Sequence, residues 1–244
     1  MSFTAEPMHA RPRPQEQLDR LFAGGWPEFI FHDQETKLHI GRVRELFADL
    51  ELLLLDGAEP VAAGWAVPLC WNGEVDDLPA GYNDSLARAL AAHDAGRTPD
   101  THAVLAAQVH PDRQGAGLAA KLLTALCEDA ARRGRTRVIC PVRPTHKSRY
   151  PLAPIERYQT WTRPDGLPQD PWLRTHVRMG ARVLAAAPRS QVITGSVTEW
   201  ENWTGMPLPD SGDYVIPEGL STLRVDRAAG TAVYTEPNVW VRHR

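Results

Sequence analysis

The sequence has little cysteine, no long apolar run and almost no net charge. Its three cysteines, Cys70, Cys127 and Cys140, are far apart and odd in number, so their spacing fits neither a disulfide framework nor a metal knuckle. No apolar stretch approaches the roughly 20 residues of a membrane span. A formal net charge of -3 over 244 residues offers no basic surface for nucleic acid. These features exclude a disulfide scaffold and argue against membrane or nucleic-acid partners and against a metal.

The remaining composition is that of an ordinary globular protein, with 43% hydrophobic and 23% charged residues. The N-terminus has no apolar core of the secretory kind, so we expect no export and a cytoplasmic location. Residues 1–14 carry three prolines and little apolar content, which predicts a flexible N-terminal arm. We expect the rest, residues 15–244, to form a single domain.

Alternating strand and helix signals run through the middle of the chain. Two apolar runs joined at Asp56-Gly57 predict a β-hairpin, and the nearly continuous apolar run at residues 101–110 predicts a central buried strand. A helix ending near Arg133, a strand at residues 136–142 and a short helix ending at Gly180 follow. This order predicts an α/β fold, specifically an α+β sandwich. Residues 185–244 contain several β-type segments and predict a C-terminal β extension.

The stretch "VHPDRQGAGLAAKLL" (residues 109–123) places two glycines between a strand and a helix. The first N–H groups of a helix attract anions, so a phosphate is the expected guest. The spacing excludes a P-loop, whereas "GAGLAA" formally satisfies the dinucleotide fingerprint G-x-G-x-x-G/A. Five residues separate these glycines from the strand, however, and the next strand ends without a carboxylate to bind a ribose. Both features disfavour NAD(P).

The register of the loop resembles the acyl-CoA pyrophosphate loop of the GNAT N-acetyltransferase superfamily. The residues that carry this resemblance are Val109, Pro111, Gln114, Gly115, Gly117 and Ala119. It continues to "THVRMGARVL" and so covers a core of residues 101–184. Other segments, such as "YPLAPIERY", are similar to an actinobacterial subgroup of that family. The resemblance implies a GNAT-like central mixed sheet flanked by helices, followed by the extension.

The resemblance also implies where acetyl-CoA, or another acyl-CoA, would bind. Backbone N–H groups around the loop would hold the pyrophosphate, small side chains allow the close approach, and the backbone of Val109 would hold the pantetheine arm. A basic segment after the next strand would reach the phosphates unless it is only a solvated loop. The residues expected at the cofactor are Val109, Gln114, Gly115, Ala116, Gly117, Leu118, Ala119 and His146, with Arg143, Lys147 and Arg149 as further candidates.

Family resemblance implies that an amine attacks the thioester directly and that a tyrosine protonates the departing thiolate. In that family the tyrosine lies four positions before a glycine. Gly180 is the matching glycine here, and the residue four positions before it is His176 instead of a tyrosine. Two alternatives remain open: His176 is the general acid, or it only hydrogen-bonds within its helix and Tyr158 or water supplies the proton.

A carboxylate near tryptophan suits the general base, because desolvation raises its pKa. We predict Glu28 for this role. The weaker candidates are His32, Asp33, Glu199 and Glu201. Cys140 is interpreted as a small buried hydrophobe rather than a nucleophile.

The sequence therefore predicts an N-acyltransferase that transfers an acyl group, expected to be acetyl, to a primary amine of a small molecule. One alternative is a catalytically silent acyl-CoA-binding sensor or scaffold, which the histidine in place of tyrosine keeps open. Another, less favoured, is an NAD(P)-binding oxidoreductase. Exposed strand edges in the extension would suit a homodimer.

Overall fold

The fold comes from a computed structural model that describes residues 3–22 and 24–243. It contains nine strands and seven helices within those residues. The strands are β1 (Phe3–Pro7), β2 (Glu51–Asp56), β3 (Glu59–Leu69), β4 (Thr101–Val109), β5 (Arg137–Val142), β6 (Arg182–Ser196), β7 (Gly212–Val215), β8 (Thr222–Asp226) and β9 (Thr231–Arg242). The helices are α1 (Gln15–Phe22), α2 (Gln34–Phe47), α3 (Tyr82–Asp94), α4 (Leu118–Arg132), α5 (Ile155–Tyr158), α6 (Pro171–Arg178) and α7 (Val197–Thr204).

All nine strands belong to one sheet, in the order β1-β2-β3-β4-β5-β9-β8-β7, with β6 also paired to β9. Among the described strands only β4 and β5 are parallel, and the helix α4 connects them. This strand–helix–strand unit is the one that the apolar periodicity predicted. The mixed, mostly antiparallel sheet with flanking helices confirms the predicted fold class.

The leucine run in β2 is continuous because both of its faces are buried. Leu52 and Leu54 pack into the main core, whereas Leu53 and Leu55 pack with Leu21 of α1 in a smaller cluster. Side chains alternate between the two faces of a strand, so a strand covered on both sides needs apolar residues at every position.

The N-terminal residues differ from the predicted arm. Phe3–Pro7 forms the edge strand β1, antiparallel to β2. Glu6 anchors it through ion pairs with Arg11 and Arg13. Backbone hydrogen bonds to β2 and charged side chains hold this strand in place. Its sequence therefore has too weak an apolar periodicity to predict a strand. The predictions for Met1 and Ser2 fall outside the described residues.

The C-terminal extension is a long two-stranded ribbon with an insertion. β6 pairs with β9 along most of its length, and the register shifts between Ala187 and Gln191, where prolines at 188 and 237 cannot donate to the ladder. Between β6 and β9 lie α7, β7 and β8, which bury a second apolar cluster around Trp200 and Tyr234. The prediction of a β extension is confirmed, although α7 was not predicted. No helix in the described part of the chain is long and apolar enough to cross a membrane.

Candidate active site

A cavity opens where the two parallel strands separate. Pairing between β4 and β5 ends at Ala103 and Ile139, yet β4 continues for six more residues to Val109. The space between the diverging strands is a cavity of about 700 Å³. Val104–Val109 of β4 lines one wall, and the end of β5 lines the other. The two strands therefore splay apart, and backbone edges of both are left without a strand partner at the cavity.

The glycine loop forms one end of this cavity. Gly115 and Gly117 have φ angles of 77° and 73°, and a Cβ at either position would meet no atom within 4 Å. The glycines are thus required by the left-handed backbone rather than by close packing. Arg113, in the turn before them, is anchored to Asp56 at the end of β2 by a 2.6 Å ion pair.

The start of α4 is open to an anion. Its N-cap, Gly117, has no side chain to bond the first N–H groups, and its first turn carries no acidic residue. Helix N-terminal N–H groups and the helix dipole attract negative charge. At the end of a cavity, this arrangement fits a pyrophosphate.

Most of the predicted cofactor residues line the cavity. The structure places these on its wall: Val109, Gln114, Gly115, Gly117, Leu118 and Ala119. Among the described residues, Ala116 and His146 are not part of the lining. The backbone N–H of His146 instead donates to Asp170 over 2.8 Å.

Lys147, a further phosphate candidate, does not reach the cavity. Its side chain is buried, and its ammonium donates to the carbonyl oxygens of Tyr150 and Leu220. Burial lowers the pKa of Lys147 to about 8, and the nearby charge of Glu236 opposes that shift. The residue thus has a structural role, joining the segment after β5 to the C-terminal extension.

His176 lies on the cavity wall, on α6, and is 1% exposed. Its Nδ1 is 2.8 Å from Nε2 of His243, and its ring packs edge-on against Trp172. Its Nε2 is buried and has no hydrogen-bond partner among the described residues. Burial, followed by the proximity of His243, lowers the pKa of His176 from 6.5 to about 3. The imidazole is therefore neutral near pH 7, and its Nε2 is left unpaired.

Cys140 joins the two histidines at the end of β5. The thiol and the two imidazoles bring one ligand atom each within 4.8 Å of one another, and these are groups that Zn²⁺ accepts. The hydrogen bond between His176 and His243 accounts for the imidazole spacing without a metal. Burial raises the pKa of the Cys140 thiol, so the thiol stays protonated, as expected for a small buried hydrophobe.

Tyr158 and Glu28 are not brought to the cavity. The Tyr158 hydroxyl is buried and donates to Asp170 over 3.0 Å, and burial followed by the charge of Asp170 raises its pKa. Glu28 has a side chain that is 62% exposed and is paired with His32 at 2.9 Å. Trp26, two residues before it, does line the cavity, so this segment reaches the cavity although Glu28 does not.

The weaker base candidates have structural partners. Asp33 caps α2 through Glu35 and Thr36, whereas Glu199 forms a capping box with Ser196 at the start of α7. Glu201 accepts a hydrogen bond from the backbone of Leu208.

Three residues at the site have no signal in the sequence. His243 reaches His176 from the end of β9. Glu218 lines the cavity from the insertion between β6 and β9. Glu236, fully buried, forms an ion pair with Arg143 at the cavity rim. His243 and Glu236 lie 67 and 93 positions from these partners. Glu218 lies 40 positions from Arg178, the nearest other lining residue along the chain, and no local pattern links them.

Comparisons with known proteins agree with this geometry. The family model described as "Acetyltransferase (GNAT) family" matches residues 29–153. An arginine N-acetyltransferase, avaD of Aspergillus versicolor, is 30% identical over 266 residues, covering 96% of this chain and 91% of that protein.

Two solved structures share the fold over the whole chain. The loading GNATL domain of CurA from Lyngbya majuscula has a TM-score of 0.59 at 17% identity, with 99% of this chain and 97% of that chain covered. The GphF GNAT-like decarboxylase in complex with isobutyryl-CoA has a TM-score of 0.55 at 18% identity, with both chains fully covered. At these identities the likeness shows the fold.

Proposed function

The chain belongs to the GNAT family of acetyltransferases, and from that premise we propose that it transfers an acetyl group from acetyl-CoA to an amine of a small cationic molecule. One observation carries the proposal. The split between β4 and β5 and the open start of α4 border one cavity, and His176, whose Nε2 has no hydrogen-bond partner among the described residues, belongs to its lining.

The acyl-CoA substrate would lie along the split. The loop from Gln114 to Ala119 would bind the pyrophosphate through backbone N–H groups. The edge of β4 beyond Ala103, which has no β5 partner, would supply N–H and C=O groups to the pantetheine arm, with Val109 at its end. A donor N–H at this edge would also stabilise the oxyanion that forms at the thioester carbonyl.

We assign proton transfer to His176. The attacking amine forms a C–N bond to the acyl carbon, the C–S bond breaks, and one proton must move from nitrogen to sulfur. An imidazolium is scarce at neutral pH because the pKa of His176 is lowered to about 3. We propose that neutral His176 takes the amine proton at Nε2 only while that proton moves on to the leaving sulfur, because a group with so low a pKa does not keep a proton as a stable imidazolium. This differs from the imidazolium acid, which was one of the two alternatives that the sequence left open, and it needs neither Tyr158 nor Glu28.

The proposed acceptor class rests on the relative. The name of avaD, an arginine N-acetyltransferase, suggests a small cationic amine, and the alignment covers the extension as well as the core. We accordingly propose one acyltransferase domain, which comprises residues 15–244 together with the edge strand β1.

Release of thiol from acetyl-CoA in the presence of an amine panel tests the proposal, with the product identified by mass spectrometry. We expect transfer to arginine or a related cationic amine, and an increase in Tm on adding acetyl-CoA but not NAD(P)H. Stabilisation by acetyl-CoA without transfer to any amine would support the silent-module alternative. Stabilisation by NAD(P)H alone would refute the proposal.

His176→Gln tests the proton-transfer role. We expect a loss of kcat of about 100-fold or more with the acetyl-CoA affinity kept, because the side chain is needed for transfer and not for the pyrophosphate. Tyr158→Phe is the matched comparison, since its hydroxyl bonds to Asp170 away from the cavity. An unchanged kcat in His176→Gln would exclude the assigned role.

A further inference from the structure

The insertion between β6 and β9 contributes Glu218 to the cavity wall. Among the described residues that line the cavity, Glu218 is the only carboxylate. We propose that Glu218 binds the cationic group of the acceptor, which makes the insertion the element that selects acceptor charge. This inference rests on the proposed transfer to a small cationic amine and identifies the residue that would recognise it.

The backbone at Glu218 is strained. Its φ of 59° makes it the only described residue other than glycine with a left-handed backbone. An L side chain with a Cβ is disfavoured there, whereas glycine or asparagine adopts this conformation more readily. Strained residues of this kind persist where the surrounding structure holds them, and they cluster at ligand sites.

Hydrogen bonds hold the strained loop in place. The Arg143 guanidinium donates to the carbonyl oxygen of Glu218 over 2.8 Å. The Lys147 ammonium donates to the carbonyl oxygen of Leu220 over 2.5 Å. The backbone N–H of Leu220 in turn donates to the Tyr234 hydroxyl over 2.7 Å. Three side chains from outside the loop therefore fix the position of the Glu218 backbone.

The two cations that hold its loop are already engaged, so they do not neutralise Glu218, and Arg178 of α6, the other cation of the described lining, forms no ion pair with it. Arg143 forms an ion pair with buried Glu236, and the Lys147 ammonium bonds to carbonyl oxygens. No ion pair of Glu218 occurs within residues 3–22 and 24–243. Its carboxylate thus stays available to a cation that enters the cavity. Trp26, a half-buried residue of the same cavity lining, adds an indole ring, which also attracts guanidinium and ammonium groups.

L-arginine and L-citrulline separate charge recognition from shape, because citrulline carries a neutral ureido group in place of the guanidinium. We expect the wild type to favour arginine over citrulline by at least about tenfold in kcat/KM. This is the factor expected when one hydrogen bond to a charged group is lost. Glu218→Gln should remove that preference by raising the KM for arginine, with kcat and the KM for acetyl-CoA little changed.

Two further variants control for charge and folding. Asp213→Asn removes the same charge from the same insertion at a residue outside the cavity lining, and it should keep the preference for arginine. Glu218→Asn also removes the carboxylate but relieves the backbone strain, so it should lose the preference while its Tm rises by about 2 °C.

The outcomes distinguish the inference from the function on which it rests. A wild type that acetylates arginine without preferring it to citrulline, or a Glu218→Gln variant that keeps the preference, would overturn the role of Glu218 alone. A wild type that transfers acetyl to no cationic amine would overturn the proposed acceptor class and this inference with it.

Discussion

Replacing His176 by glutamine should make the protein less sensitive to mild acid. Burial lowers the pKa of His176 from 6.5 to about 3, so between these values the unfolded chain binds a proton that the folded chain does not. The stability that neutral His176 contributes is complete above about pH 6.5 and is lost as the pH falls toward 3. This neutral form is the one that the proposed proton transfer requires.

The magnitude follows from the size of the shift. Each pH unit below the unfolded pKa costs about 1.4 kcal/mol for one such group. Between pH 7 and pH 5 the wild type should therefore lose about 2 kcal/mol of unfolding free energy through His176 alone. The solvent screens little of this effect, because the side chain is 1% exposed. The nearby Cys140 thiol, whose pKa is raised, stays protonated throughout this range.

Urea unfolding at pH 7, 6 and 5 measures the difference. His176→Gln should lose about 2 kcal/mol less than the wild type over that interval, whatever its stability at pH 7. His9→Gln, which removes an imidazole that is 52% exposed, controls for the loss of an exposed histidine. Parallel pH dependences for the wild type and His176→Gln would show that the buried imidazole is not held neutral, and the proton-transfer assignment would then fail with it.

Two other predictions concern the loop and the buried ion pair. Gly117→Ala places a side chain at a φ of 73° and should cost about 1 kcal/mol in urea unfolding while weakening acetyl-CoA binding by calorimetry. Gly96→Ala is the control, because Gly96 has a φ of 61° in a turn away from the cavity. It should lower the unfolding free energy by a similar amount but leave acetyl-CoA binding unchanged. Equal acetyl-CoA affinities of the two variants would contradict the assignment of the loop. Glu236→Gln leaves Arg143 without its buried carboxylate and should destabilise the protein by about 3 kcal/mol, whereas a loss below about 1 kcal/mol would mean that water compensates for the missing charge.

Much of the fold could be predicted because its signals are local. The apolar periodicity located the hairpin of β2 and β3, the strands β4 and β5 and the helix α4 between them. Glycines with the spacing of a known loop indicated a loop with small side chains at a helix start, and the structure has a left-handed turn there, at Gly115 and Gly117. These features depend on residues a few positions apart, which is the range over which side-chain pattern and backbone preference act.

The edge strand β1 and the helix α7 show where local signals end. Strand β1 is held by backbone pairing with β2 rather than by apolar side chains of its own, so its composition predicted an arm. The segment of α7 carries Glu199 and Glu201, which were interpreted as base candidates. In the structure, one caps the helix and the other holds the following turn.

The sequence by itself determined the glycine loop, the strand–helix–strand core and the position of His176 before Gly180, because each is encoded within one turn or one element. Only the tertiary structure decided what surrounds His176. The pairing of β5 and β6 with β9 brings His243 beside it, and the insertion brings Glu218 to the same cavity. These contacts join residues that are dozens of positions apart, and burial among them, followed by the proximity of His243, lowers the imidazole pKa. Desolvation and strand pairing are properties of the assembled fold, so no local pattern in the sequence encodes them.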